Sequence, residues 1–182
     1  MNTGVILEKE GFKIIKSEEN IYTASYNIEN KNIMLSNVLD FNLIKLIYNL
    51  NSDIYEKIDV NIINDNEAIG VFLIKHFFED IGISQKYSHI LIKKFVEKDC
   101  ITFASQTITS DKPDFIPDNV DLVKIETMIC KCNIITPHKI DFNFIITFEK
   151  KLNIPPYAEK LIGVLIHKIF IRVKQFIEMV KM

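Results

Sequence analysis

The C-terminal quarter of the chain constrains the fold most, because a strand with one apolar face leads directly into a long amphipathic helix. Between His138 and Glu149 alternate positions are apolar, namely Ile140, Phe142, Phe144, Ile146 and Phe148. Successive strand side chains point to opposite faces, so one face of this strand is dry and rich in aromatic residues. Pro155-Pro156 ends the strand and suits the start of a helix. A helix from Pro156 to the C-terminus is about 40 Å long, enough to cross a small sheet.

The apolar positions of this helix form one continuous stripe when residues are placed at about 100° intervals. The stripe consists of Ile162, Leu165, Ile166, Ile169, Val173, Phe176, Ile177 and Val180. The opposite side consists mainly of Lys160, Gly163, His167, Lys174, Gln175, Glu178 and Lys181. We therefore expect His167 to be solvated. A sheet that leads into such a helix predicts a curved sheet that grips the helix over an apolar space, which favours binding of a hydrophobic ligand.

Most of the remaining chain is predicted to be extended. Apolar or alternating runs between polar turns predict strands at Phe12–Ser17, Ile21–Ile28, Val60–Ile63, Ile69–Phe77, Ser88–Val96, Cys100–Thr109, Val120–Ile134 and Ile140–Phe148. Asp40–Leu50 is predicted as a helix capped by Asp40, because leucine and isoleucine recur at spacings of three and four. Short turns between consecutive strands predict an antiparallel meander, and Ser110–Asn119 is predicted to be an irregular connection.

Composition fits one globular domain over residues 1–182 and argues against several functional classes. The chain is 48% hydrophobic and 25% charged with a net charge of −2, so it lacks the basic patch of a nucleic-acid-binding protein. Only five glycines argue against nucleotide-binding loops. No apolar run approaches the roughly 20 residues of a membrane span, and no signal-peptide pattern is present. We therefore expect a cytoplasmic protein.

No group of side chains predicts a metal site, a cofactor or a catalytic centre. Cys130 and Cys132 point to the same face of a predicted strand, but no second pair of cysteines or histidines follows at ligand spacing. The four histidines are scattered, and no acid or nucleophile is placed to act with them. Binding is therefore a better hypothesis than catalysis.

The order of elements resembles that of the START domain, the lipid-transfer module related to steroidogenic acute regulatory protein. Members commonly have an acidic residue, a glycine, an aliphatic residue and a proline before the C-terminal helix. Glu149, Ile154 and Pro155 match this motif, and Leu152 stands in place of the glycine. A second similarity is the charged hairpin and following strand within Lys93–Thr109. Just upstream, the segment Lys86-Tyr87-Ser88-His89 lacks the arginine and the acid of the family motif.

The resemblance implies an α+β helix-grip fold, START-like, in which a curved antiparallel β-sheet wraps around the long C-terminal α-helix. It also implies a lipid-binding tunnel between the two, opened by movement of the helix and of a nearby loop. That loop corresponds to Glu79–Lys86, with Ile81, Gly82 and Ile83 at its tip. Lys93 corresponds to a buried basic residue of some members. No cofactor and no covalent chemistry are implied.

The predicted site is an apolar wall that binds one lipid, such as a phospholipid or a sterol. Its apolar members are Phe142, Phe144, Ile146 and Phe148 on the strand, and Ile162, Leu165, Ile166, Ile169, Val173 and Phe176 on the helix. Lys93 and His76 are the candidate polar contacts, and membrane contact is expected to be transient. Two alternatives stay open: an enzyme of the helix-grip superfamily, such as a cyclase or hydrolase with polar groups inside the tunnel, and a non-enzymatic scaffold with a filled core. Tunnel volume distinguishes the scaffold from the carrier.

Overall fold

The structure is a computed structural model that describes residues 4–77, 79–150 and 155–181. Its strands are β1 (Gly4–Lys9), β2 (Phe12–Glu18), β3 (Ile21–Glu29), β4 (Tyr55–Asn64), β5 (Glu67–Ile74), β6 (Lys86–Glu97), β7 (Cys100–Thr107), β8 (Asp121–Leu122), β9 (Ile125–Thr136) and β10 (Lys139–Phe148). The α-helices are α1 (Phe41–Asn49) and α2 (Pro156–Met179), and short 3-10 turns span Leu35–Val38 and Glu79–Ile81.

The described strands form one curved, unclosed sheet in the order β1-β2-β3-β10-β9-β7-β6-β5-β4. Neighbours along this order are antiparallel, and the two-residue β8 pairs with the start of β6 in parallel. The N-terminal strands lie beside the last strand because β3 pairs with β10 along its whole length. Helix α2 contacts β1, β2, β3 and α1 on the concave face of the sheet. The predicted antiparallel meander and closing helix are therefore confirmed.

The predicted first helix is also confirmed. The Asp40 carboxylate accepts hydrogen bonds from the backbone N–H groups of Asn42 and Leu43 at 2.8 and 3.2 Å. These two bonds satisfy donors that a helix start leaves without an intrahelical partner. The cap therefore fixes where α1 begins.

Two strand predictions differ from the structure. The predicted strand Val120–Ile134 is divided into β8 and β9, because the Thr107 hydroxyl group interrupts the ladder. That hydroxyl accepts a hydrogen bond from the Ile125 N–H at 2.7 Å and donates to the Val123 carbonyl oxygen at 3.4 Å. Strand β1 had no predicted counterpart, since a register shift between Val5 and Leu7 disturbs the alternation that marks a strand.

The apolar core has two parts on opposite faces of the sheet. The larger part lies on the concave face, between the sheet, α1 and α2. The smaller part lies on the convex face, where the irregular segment after β7 covers the outer side of β5 and β6; its buried residues are Val71, Leu73, Tyr87, Ile116 and Val120. The described residues of the predicted apolar wall that belong to the core therefore lie on the concave face.

Candidate ligand-binding site

Strand β10 runs through the middle of the sheet, and burial along its predicted inner face is uneven. Ile140, Phe142 and Ile146 are buried, with Phe142 at 4% exposure. Phe144 and Phe148 on the same face keep part of their surface exposed. A face that is packed throughout would bury Phe144 as deeply as its neighbours at i−2 and i+2.

An aromatic cluster, formed by Phe12, Tyr26, Phe142, His167 and Phe170, fills the space between α2 and the β2, β3 and β10 part of the sheet. The rings of Tyr26 and Phe142 stack with centroids 4.8 Å apart, and Phe170 lies 5.2 Å from Tyr26. The His167 ring meets Phe12 edge-on at 5.5 Å. Burial raises the pKa of Tyr26 well above its ordinary value, so its phenol stays neutral at physiological pH.

The buried face of α2 coincides only in part with the predicted apolar stripe. Its buried residues are Ala158, Gly163, His167, Val173 and Ile177, of which only Val173 and Ile177 belong to the stripe. The prediction that His167 is solvated is therefore wrong, since the residue is 8% exposed. Strand β1 gives the reason: a Cβ at position 163 would lie 2.9 Å from Cγ2 of Ile6. Glycine lets α2 approach β1 closely, and His167, about one turn further along the helix, is buried with it.

The remaining predicted helix residues form a half-covered stripe beside this buried face. Ile162, Leu165, Ile166 and Ile169 are partly buried, and Phe176 is 43% exposed. Val173, the remaining member of the predicted set, belongs to the core at 1% exposure. The predicted apolar face of α2 is thus divided between core packing and a partly open surface.

Polar contacts fasten the two ends of α2 to the sheet side. At the N-terminal end, Glu159 Oε1 accepts a hydrogen bond from the Tyr22 hydroxyl at 2.8 Å and lies 2.5 Å from Lys16 Nζ. At the C-terminal end, the buried Asn30 side chain donates from Nδ2 to the carbonyl oxygens of Ile177 and Val180, at 2.5 and 2.9 Å. Asn30 therefore satisfies carbonyl groups that a helix end leaves free.

The middle of α2 is fastened to the end of α1 through Asp53. Arg172 Nη1 and Lys168 Nζ lie 2.5 and 2.6 Å from its carboxylate oxygens. Hydrogen bonds from Arg172, then from Lys168, hold the pKa of Asp53 well below its ordinary value. Arg172 also donates to the Asn51 side chain at 3.1 Å, and Asn51 donates to the Ile169 carbonyl at 3.4 Å. The half-covered stripe of α2 is therefore bordered by α1.

The predicted gate loop joins β5 to β6 and is closed at its base by hydrogen bonds. His76 Nε2 donates to the Ile83 carbonyl oxygen at 2.7 Å, and Gln85 Nε2 donates to the Ile74 carbonyl oxygen at 2.8 Å. Gly82 has a φ of +71°, in the left-handed region that glycine enters without strain. Ile83 is partly buried, whereas the side chain of Ile81 lies outside the described residues. His76, predicted as a ligand contact, binds the loop backbone in this structure.

Two adjacent lysines on β6 point to opposite faces of the sheet. Lys93, the predicted polar contact, lies on the convex face with its Nζ 3.3 Å from Glu67 Oε1. Lys94 lies on the concave face, where its Nζ is 5.6 Å from the centroid of the Phe41 ring. Sequence analysis did not single out Lys94, although the alternation of β6 places it on the same face as Ile92, which is buried.

A groove of about 790 Å³ opens beside these lysines, where β6 extends past the β4–β5 turn. It is lined by Asn64, Asn66, Glu67, Lys93, Lys94, Phe95, Val96 and Glu97. Of the predicted site residues, only Lys93 lines this groove.

The inner wall is also partly exposed beyond the aromatic cluster, toward β9. Met128 and Cys130 on β9 share the inner face with Phe144 and remain partly exposed. Ser105 on β7 pairs in register with Met128 on this face and is buried, at 7% exposure. The partly exposed inner residues therefore lie side by side on β9 and β10.

The described cysteine pair does not resemble a metal site. The Sγ atoms of Cys130 and Cys132 are 4.0 Å apart. The hydrogen bond with Cys130, together with burial, raises the pKa of the Cys132 thiol, and a protonated thiol is a poor metal ligand. Within residues 4–77, 79–150 and 155–181, no group of three or more histidine, cysteine, aspartate or glutamate residues is arranged to hold a metal ion.

The motif before α2 is described in part. The Glu149 carboxylate lies 3.5 Å from Lys124 Nζ, and the Glu149 carbonyl oxygen accepts a hydrogen bond from Asn20 Nδ2 at 3.0 Å. Pro155 is the N-cap residue of α2. Leu152 and Ile154 lie outside the described residues.

Among the described helices, none has the length and hydrophobicity to cross a lipid bilayer. No protein-family model and no curated protein sequence matches the chain. Solved structures do match. The human StarD13 lipid transfer and protein localization domain superposes with a TM-score of 0.72 at 12% identity, over 98% of this chain and 90% of that one.

Two further structures have the same architecture. Human StAR-related lipid transfer protein 5 matches with a TM-score of 0.68 at 9% identity, over 95% of this chain and 85% of that one. The STAR-related lipid transfer protein from Xanthomonas axonopodis matches with a TM-score of 0.60 at 12% identity, over 96% and 97%. The predicted fold class is thereby confirmed: this chain has the α+β helix-grip fold of START domains, a curved antiparallel sheet wrapped around a long C-terminal helix.

Proposed function

We propose that this protein is a lipid carrier, one domain over residues 1–182 that binds a single hydrophobic ligand between the sheet and α2. The observation that supports the proposal most directly is the partial exposure of Met128, Cys130 and Phe144 on the inner face of central strands. Protein interiors are close-packed, so exposed apolar side chains at the centre of a sheet and beneath a helix favour an unfilled space. The lipid-transfer names of the similar structures support a lipid as the ligand.

The aromatic cluster restricts where such a ligand lies. Phe142, Ile146 and Val173, although predicted as lining, are packed in the core. The ligand instead contacts the partly exposed residues, which are Met128, Cys130, Phe144, Phe148, Ile162, Leu165, Ile166 and Ile169. The proposed site is therefore the β9 and β10 part of the concave face together with the half-covered stripe of α2.

A carrier of this kind must replace the environment that a membrane gives its lipid. Exposure of about 30 methylene groups to water costs ~25 kcal/mol, at ~0.8 kcal/mol for each methylene. An apolar wall on both the sheet and the helix offsets that cost, and no cofactor or covalent step is needed. The three free cysteines fit a reducing compartment such as the cytoplasm.

Exchange requires a transient opening of the site at a membrane. The first turns of α2 are fastened by Glu159, whereas the second half is fastened by both Asp53 and Asn30. The loop tip at Ile81, Gly82 and Ile83 and the helix α2 are the parts proposed to move. Contact between the loop and lipid shifts the population from a closed, loaded state to an open one.

A filled scaffold is the second candidate, and the aromatic cluster favours it. That cluster shows that the chain fills one half of the space with its own side chains. The two functions differ in whether the other half accepts a ligand.

The deciding experiment is lipid analysis of the purified protein by native mass spectrometry, beside an unrelated protein purified in the same way. We expect a stoichiometric lipid adduct, or uptake of lipid from vesicles by delipidated protein. A protein mass without an adduct, combined with no uptake from vesicles of mixed phospholipid and sterol, contradicts the carrier and supports the scaffold.

The gate is tested separately by transfer between donor and acceptor vesicles. Replacement of Ile81 and Ile83 by aspartate is expected to slow transfer while folding is retained. The matched control replaces Ile62 and Ile63, two exposed isoleucines near the β4–β5 turn, by aspartate. Equal transfer by the gate variant and the wild type removes this loop from the mechanism.

A further inference from the structure

Strand β4 ends the sheet, and none of the described strands pairs with its outer edge. It has 10 residues, whereas β1 at the opposite end of the sheet has 6 and is contacted by α2. A long edge strand presents a row of unpaired backbone groups to which another strand can bind. Between two register shifts, β4 pairs regularly with β5 from Lys57 to Ile62. We call the outer edge of this stretch, residues 57–62, the free edge.

The backbone direction along the free edge follows from the hydrogen bonds on its inner side. The Lys75 N–H, just after β5, donates to the Ile54 carbonyl oxygen, just before β4, at 2.9 Å. Because backbone groups of successive residues point to opposite sides of a strand, the odd-numbered residues of β5 are the ones that bond to β4. Their register partners on β4 are Lys57, Asp59 and Asn61. The N–H and C=O groups that point outward therefore belong to Ile58, Val60 and Ile62.

The free edge is complementary to itself when two copies of it run antiparallel. If Val60 lies opposite Val60 of a second copy, Ile58 lies opposite Ile62, and Asp59 lies opposite Asn61. Each outward-pointing N–H then meets an outward-pointing carbonyl oxygen, as in any antiparallel ladder. The side chains match as well, because apolar residues meet apolar residues on one face and an acid meets an amide on the other.

The side chains of the free edge are only partly covered by their own chain. On the concave face, Ile58 and Val60 are partly buried against the core, and Ile62 is 38% exposed. On the convex face, Asp59 and Asn61 are exposed. A second copy in this register would therefore extend the apolar row of the concave face and leave the polar row in water.

This pairing is favoured over the two registers centred nearer the start of β4. An axis at Asp59 would place this carboxylate opposite its own copy, and like charges directly opposite each other are destabilising. An axis at Ile58 would place Glu56 opposite Val60, so a carboxylate would replace an apolar partner. The order of apolar and polar residues therefore selects Val60 as the centre.

We propose that two copies of this protein associate through the free edge of β4, around a two-fold axis at Val60. The contact is closed, because both copies use the same edge, so it produces a dimer rather than a filament. The axis reverses the direction of the strands, and the ends of the two copies that carry the proposed gate loop therefore point in opposite directions. The inference does not depend on the carrier function.

The test is sedimentation equilibrium of the wild type and three variants over a range of protein concentrations. Val60→Pro removes an outward-pointing N–H and leaves the hydrogen bonds to β5 in place. Ile62→Lys places a charge in the apolar row of the pairing. Ile63→Lys is the matched control, since Ile63 is 51% exposed but lies at the register shift, outside the free edge. Thermal melting of each variant establishes that it is folded.

We expect the wild type to reach the mass of two chains as its concentration rises. Val60→Pro and Ile62→Lys are each expected to weaken the association at least about tenfold, because each change acts on both copies of a symmetric contact. Ile63→Lys is expected to associate as the wild type does.

The register is tested by cysteine cross-linking under oxidising conditions, with the wild type as the blank. An equal mixture of Asp59→Cys and Asn61→Cys proteins is expected to form a covalent dimer, because these positions are directly opposite each other in the proposed pairing. Neither protein alone is expected to do so.

A wild type that stays a single chain at every concentration overturns this inference and leaves the carrier function unaffected. A dimer that is equally strong in Val60→Pro and Ile62→Lys also overturns it, since the association then uses another surface. Equal weakening by Ile63→Lys contradicts it as well, because the effect would then be one of charge near the turn. Cross-linking of either cysteine variant alone, but not of the mixture, contradicts the register.

Discussion

The two sides of the space beneath α2 are built from similar apolar residues but packed to different degrees. On the side of β1, β2 and β3, aromatic rings and a close helix–strand approach at Gly163 leave the chain fully packed. On the side of β9, the inner residues Met128 and Cys130 remain partly exposed. The comparison shows that the positions of apolar residues determine which face of the sheet is the inner one. How closely the helix and strands approach each other determines whether that inner face is fully packed.

The packed side sets the position of the helix for the open side. Gly163 and His167 turn α2 toward β1, so its predicted apolar stripe is shared between the core and the open side. Ile162 and Ile169 are thereby left half-covered next to the inner wall. The packed side thus determines which part of the apolar surface of α2 stays exposed.

The largest expected difference between the two sides is the response to loss of a phenylalanine ring. Phe12→Ala is expected to lower the free energy of unfolding by about 3–5 kcal/mol, because Phe12 is 1% exposed within the aromatic cluster. Phe144→Ala, on the open side, is expected to cost less than half of that. Denaturant unfolding of both variants measures the two values. Equal losses would mean that the two sides are packed alike.

The next largest effect comes from insertion of a ring at a buried and at a partly exposed position of β9. Cys132→Phe is expected to cost about 1–3 kcal/mol, because Cys132 is fully buried and the ring has no room. Cys130→Phe, two residues away on the same face, is expected to leave stability nearly unchanged and to reduce lipid uptake from vesicles. Unfolding and uptake are measured on both proteins. If Cys130→Phe strongly lowers the free energy of unfolding and neither protein takes up lipid, the result supports the filled scaffold.

Removal of the Asn30 side chain tests how firmly the packed side holds the end of α2. Asn30→Ala is expected to cost about 1–2 kcal/mol, since one buried and one partly buried carbonyl group lose their donor. Asn32→Ala is the control at an exposed position nearby. Hydrogen exchange of the last turn of α2 should rise only in the Asn30 variant. Unaltered hydrogen exchange in the last turn of α2 would mean that other contacts hold this end of the helix.

The smallest expected effect concerns Asp53, the exposed link between α1 and α2. Asp53→Asn is expected to cost no more than about 1 kcal/mol at neutral pH, because solvent screens its ion pairs. The folded pKa of Asp53 lies below its ordinary value of 3.8, so its contribution is present above about pH 4 and is lost as the pH falls further. Wild type and variant should therefore converge in stability in acid. A difference that persists at low pH would assign the effect to packing rather than to charge.

Much of the fold could be predicted because its main signals are local. The Asp40 cap and the alternation of β10 depend only on neighbouring residues, and both are confirmed. Strand β1 was missed because a bulge interrupts its period, and Val120–Ile134 was predicted as one strand because the Thr107 hydroxyl that interrupts it is distant in sequence. Neither predicted polar contact was placed correctly by the sequence. Lys93 lies on the convex face, and His76 donates a hydrogen bond to the backbone of the predicted gate loop.

The sequence by itself determined most of the strands and helices, including the dry face of β10 and the long helix after it. It could do so because the spacing of apolar residues follows the geometry of each element, two residues in a strand and 3.6 in a helix. Only the tertiary structure decided which side of α2 is buried, because Gly163 matters only when β1 stands opposite it. The tertiary structure also decided which of the two adjacent lysines, Lys93 and Lys94, lies on the concave face. The alternation of side chains along a strand shows that adjacent residues point to opposite faces. Only the assembled sheet shows which of those faces the helices cover.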